Sequence, residues 1–138
     1  MRVLIISAFV ALFSAGTATA TIYRCEVRQS VGKEWITANY TIDHNPISNE
    51  IQVFDSFINS IYQGPIAVRK YNKTRRKLRV NWTVEGSIQH ATGAAAGTGY
   101  QEPILFEAVV KINSGKMQLR AYGPNGERVS GRGNCTIR

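Results

Sequence analysis

Strict alternation of apolar and polar residues is the feature that most constrains this chain. Leu78, Val80, Trp82 and Val84 are interleaved with Lys77, Arg79, Asn81 and Thr83. Successive side chains of a strand point to opposite faces, so this period of two predicts a strand with one buried and one solvated face. The pattern recurs in residues 103–112, with Ile104, Phe106, Ala108, Val110 and Ile112 on one side, and again at Met117, Leu119 and Ala121. Near the start of the chain Tyr23, Cys25 and Val27 oppose Arg24, Glu26 and Arg28. Helical periodicity is nearly absent.

Further strands are expected over residues 35–42, with Ile36, Ala38, Tyr40 and Ile42 on one face, and over 50–54, 65–71 and a short stretch around Cys135 and Ile137. The turns between them carry Asn, Asp, Gly and Pro, as at Val31-Gly32-Lys33, Asp43-His44-Asn45-Pro46, Asn72-Lys73-Thr74 and Gly123-Pro124-Asn125-Gly126. Residues 55–64 are ambiguous: Phe57, Ile58 and Ile61 have helical spacing, and Gly64-Pro65 ends whatever forms there. The glycine- and alanine-rich residues 86–99 read as a loop. Short connections and the lack of a crossover helix predict an all-β domain, a single antiparallel up-and-down β-barrel of seven or eight strands, with a two-sheet β-sandwich as the alternative.

Residues 1–20 have the layout of a secretory signal peptide: Arg2, an apolar run over 3–13, and Ala18-Thr19-Ala20 as a small-residue cleavage site. The mature chain is then a single β domain over 21–138, secreted or periplasmic, with no transmembrane segment. Two cysteines in an exported chain predict one disulfide, Cys25 to Cys135, joining the terminal strands. The bridge is favoured over a metal site because two cysteines and two distant histidines make a poor ligand set.

The chain carries 17 Lys and Arg against 9 Asp and Glu, and Arg2 is the one cation lost with the leader. Such a balance favours anionic partners. Seven of these cations, Arg69, Lys70, Lys73, Arg75, Arg76, Lys77 and Arg79, fall within one predicted hairpin with no carboxylate among them. They form a candidate anion-binding site. The competing reading is a solvated hairpin whose charges discourage edge-to-edge pairing. The candidate partners are anionic lipid head groups, acidic polysaccharide or an acidic protein, ranked above nucleic acid for an exported chain.

No catalytic constellation is expected. His44 and His90 belong to no nucleophile or metal motif, Asp43 and His44 are strand neighbours that point apart, and Glu85 with Glu107 is the remaining carboxylate pair to consider. Gly93 to Gly99 lacks the lysine of a phosphate-binding loop. The expectation is a non-enzymatic binding module, with no cofactor and no metal, for an anionic or a small apolar ligand. The alternatives are an inhibitor of a secreted hydrolase and a structural envelope protein.

Overall fold

The computed structural model describes residues 18–29, 35–85 and 103–138. Most of the expected signal peptide, the expected turn at Val31-Gly32-Lys33, the glycine- and alanine-rich segment and His90 lie outside the described residues.

Among the described residues nine strands form one antiparallel sheet: β1 (Thr21–Gln29), β2 (Asn39–Asn45), β3 (Glu50–Phe54), β4 (Ile66–Ala67), β5 (Lys70–Lys73), β6 (Lys77–Val84), β7 (Ile104–Lys111), β8 (Lys116–Tyr122) and β9 (Arg128–Ile137). One helix, α1 (Ser56–Tyr62), lies between β3 and β4. The order across the sheet is β4-β3-β2-β1-β9-β8-β7-β6-β5, so strands consecutive in sequence pair except β4 and β5, which form the two edges, and the first and last strands meet in the middle. The sheet curls into a half-barrel. Its concave side holds Tyr23, Tyr40, Ile42, Val53, Leu78, Val80, Trp82, Phe106, Val110 and Leu119, all fully buried.

Strand count and closure differ from the expected seven- or eight-stranded barrel, and the reason is local. Residues 65–71 do not make one strand. The Val68 N–H bonds to the Ile51 carbonyl of β3 at 2.8 Å, and the next N–H, of Arg69, bonds to the Asn81 carbonyl of β6 at 3.0 Å. The backbone thus steps from one sheet edge to the other within two residues, splitting the segment into β4 and β5. The edges are tied by this link rather than by a continuous ladder. Two side-chain ties flank it: the Tyr71 hydroxyl donates to the Asn49 carbonyl at 3.1 Å, and that of Tyr62 donates to the Glu85 carbonyl at 2.8 Å.

Residues 35–38 are also not the strand expected. β2 begins at Asn39, and Trp35 and Ile36, adjacent in sequence, are both buried. The Trp35 ring packs on Gly123, whose missing side chain makes the room. β9, expected to be short, runs ten residues. Gly131-Arg132-Gly133 is therefore the middle of a strand, where β9 passes close to β1. A Cβ on Gly133 would stand 2.0 Å from the Glu26 carbonyl oxygen.

The ambiguous 55–64 stretch is helical over two turns because Asp55 caps it. Its extended backbone aims the carboxylate at the Ile58 N–H, 2.7 Å away, satisfying a donor that the first turn cannot. Gln63, at φ 57°, ends the helix just before Gly64. Ile58 enters the core and Phe57 meets Phe106 at a ring separation of 6.4 Å. The disulfide forms between Cys25 of β1 and Cys135 of β9. No helix among the described residues is long and apolar enough to cross a membrane.

Candidate functional site

Strand directions sort the turns onto two rims. Residues 45–49, 74–76 and 112–115 share one rim, and α1 and residues 123–127 lie on the other. The seven cations read from the sequence do not stay together on this frame. Lys73, next to the 74–76 turn, points to the concave side, where its Nζ sits 3.2 Å from His44 Nδ1. Arg69 donates to the Thr83 hydroxyl at 3.4 Å on the convex side. Lys70 and Arg79 line a shallow convex groove of about 260 Å³ with Asn72, Asn81 and Glu107. That groove carries a carboxylate, and Glu107 in turn contacts Arg120 at 3.5 Å.

Arg75, Arg76 and Lys77 remain at the rim, and the register adds two lysines that sequence proximity hides. Lys77 on β6 pairs with Lys111 on β7. One step beyond the Val110↔Met117 pair, Lys111 faces Lys116 across the 112–115 turn. Three lysines therefore stand side by side on three adjacent strands, all exposed, next to two arginines. No described carboxylate makes an ion pair with any of the five. Like charges directly opposite each other in a ladder are destabilising, so this row opposes folding unless an anion lies against it.

The turn presenting the arginines is well defined. The Thr74 hydroxyl accepts from the N–H groups of Arg76 and Lys77 at 3.3 and 3.1 Å, and the Thr74 N–H donates to the Lys77 carbonyl at 2.8 Å. The Arg76 carbonyl accepts from the Ile112 N–H at 2.9 Å, locking the 74–76 turn to the neighbouring hairpin. A second like-charge pair, Arg28 opposite Arg132, borders a separate convex cleft of about 330 Å³ with Ser130. Nothing in the spacing of the sequence could reveal either pair, because each depends on register between distant strands.

His44, expected in a turn, is on β2 and buried. A lysine ammonium is only a donor, so in this contact Nδ1 is the acceptor, which leaves the ring's Nε2 to find a partner of its own. That Nε2 is buried without a partner among the described residues. Asp43 faces the opposite side of the strand, so the two make no dyad. Glu85 and Glu107 do not pair either: the β6–β7 register places Glu107 opposite Asn81, four residues from Glu85.

The second buried polar side chain is the carboxyl of Asp55, near the opposite rim. It accepts from the Thr37 hydroxyl at 2.8 Å, and the Tyr40 hydroxyl accepts from the Thr37 N–H at 3.0 Å. Burial pushes its pKa above the ordinary carboxylate value despite these hydrogen bonds, and burial followed by the Asp55 charge raises that of Tyr40. With one carboxylate oxygen capping the helix and the other accepting from the Thr37 hydroxyl, Asp55 is a structural group. Among the described residues no three His, Cys, Asp or Glu side chains come together to hold a metal ion. The chain matches no family model, and no curated protein or solved structure is significantly similar to it.

Proposed function

We propose that this chain is an exported, non-enzymatic binding module whose cationic rim engages an anionic partner. The observation that carries the reading is the row Lys77–Lys111–Lys116 beside Arg75 and Arg76, five exposed cations on two hairpins with no ion-paired carboxylate among the described residues. A ladder that places like charges together gains free energy when an anion spreads across them.

The small apolar ligand has less support. Trp82 stacks flat on Phe106 at 5.2 Å and meets Tyr40 at 6.1 Å, so aromatic rings occupy the middle of the concave side. Export is supported by the disulfide, which persists in oxidising compartments. The second reading, an inhibitor of a secreted hydrolase, draws on the well-fixed 45–49 turn. It calls for tight, weakly salt-dependent binding to one protein.

The test is chromatography of the disulfide-bonded mature chain on immobilised heparin, a soluble polyanion in its free form. The parent is expected to bind at low salt and to elute as salt nears about 0.15 M, where the Debye length falls to about 8 Å. Replacing Arg75, Arg76 and Lys77 together by Ser should remove most of the retention with an unchanged β-sheet circular dichroism spectrum. A parent that flows through at low salt, or a triple variant retained as strongly as the parent, refutes the reading.

A further inference from the structure

We propose that the anionic partner is a lipid bilayer surface, on which the cationic rim docks with Ile47 inserted among the headgroups. The proposal rests on the anion-binding reading above and names its partner.

Ile47 is 80% exposed, the most exposed of the large hydrophobic side chains among the described residues. It is held there by a built turn. The Asn45 side-chain oxygen accepts from the N–H groups of Ile47 and Ser48 at 2.9 and 3.3 Å, and Asn49 takes a left-handed conformation at φ 58°. The Asn49 carbonyl accepts from the Tyr71 hydroxyl at 3.1 Å, tying this turn to β5. His44 and Lys73 make a second link between β2 and β5 just inside the rim. The apolar tip therefore stands beside the hairpin that carries Arg75, Arg76 and Lys77. Glu50, the carboxylate at the base of the same turn, is engaged by the Ser48 hydroxyl at 3.1 Å.

An apolar side chain projecting beside a row of cations is the combination that binds a charged membrane interface. The apolar group enters the headgroup layer and the ammonium and guanidinium groups meet lipid phosphates. A soluble polyanion would use the cations and gain nothing from Ile47. Ile47 is thus the residue that separates the two kinds of partner.

The experiment measures sedimentation of the disulfide-bonded mature chain with phosphatidylcholine vesicles, with and without phosphatidylglycerol, alongside heparin retention and competition by free glycerol phosphate. The parent should bind the phosphatidylglycerol vesicles, not pure phosphatidylcholine, and resist millimolar glycerol phosphate. Ile47→Ser should weaken vesicle binding roughly fivefold, since only part of the side chain leaves water, and leave heparin retention unchanged. Ile47→Trp should strengthen vesicle binding, because indole favours the interface. Melting temperatures of both variants should match the parent, as the side chain touches solvent. The Arg75, Arg76 and Lys77 triple variant should lose roughly a hundredfold on vesicles at low salt, about a factor of five per cation. Heparin retention without vesicle binding, vesicle binding indifferent to Ile47 or to phosphatidylglycerol, or displacement by glycerol phosphate overturns the lipid assignment while leaving the polyanion reading in place. Binding to neither heparin nor vesicles overturns both.

Discussion

Cys25 lies directly opposite Cys135 on neighbouring antiparallel strands, their Cα atoms 3.9 Å apart, so the disulfide crosses a ladder that seven residue pairs already hold in register. The bond adds little to native geometry that the ladder does not supply. Its effect falls on the unfolded chain, where it links residues 110 positions apart.

Reduction is therefore expected to leave the β-sheet circular dichroism spectrum in place while lowering stability, by up to about 5 kcal/mol on the loop-entropy estimate. Urea unfolding with and without reductant measures this. Coincident midpoints would show that the bridge does not constrain the unfolded state.

Gly133 is required by the same seam. A methyl group there would meet the Glu26 carbonyl oxygen at 2.0 Å and its carbon at 2.8 Å, both backbone atoms that cannot rotate away. Gly133→Ala should cost about 3 kcal/mol, the upper range of an overpacked contact. Gly64→Ala is the control, since a Cβ at Gly64 has no atom within 4 Å. It should be within about 1 kcal/mol of the parent. Thermal unfolding of the two variants compares them, and equal melting temperatures would contradict the close approach of β9 to β1.

The Asp55 carboxyl sets a pH dependence whose sign follows from its burial. Its folded-state pKa is raised, so the folded chain holds this proton more tightly than the unfolded chain does. Stability from this group is greatest below the ordinary carboxylate pKa and declines as pH rises through the folded-state value. Asp55→Asn keeps an oxygen to accept from the Ile58 N–H and has no charge to desolvate. The stability of the Asn variant relative to the parent should therefore increase from about pH 4 towards about pH 7. Denaturant unfolding across that range gives both curves, and parallel curves would show that the buried carboxyl costs nothing to ionise.

Where alternation was strong, the elements were legible. β6 and β7 each bury one complete face, and a period of two records that burial directly. β9 was underestimated because Gly131 and Gly133 supply no side chains to the pattern, though they are the residues that let it approach β1. Trp35 and Ile36 broke the alternation because both are buried from an irregular segment by contacts with other parts of the chain.

The amino-acid sequence by itself determined that the chain is all-β, which residues of most strands turn inward, and that its two cysteines suit a bridge. These properties follow from local periodicity and composition, and each strand reports them independently of its neighbours. Only the tertiary structure decided which strands stand side by side. Cross-strand register brought Lys111 and Lys116 next to Lys77, turned Lys73 inward onto His44 and split residues 65–71 between two edges. The physical reason is that hydrogen-bonded pairing sets neighbours at a separation of about 5 Å whatever their distance in sequence, and a single strand's pattern carries no record of its partner.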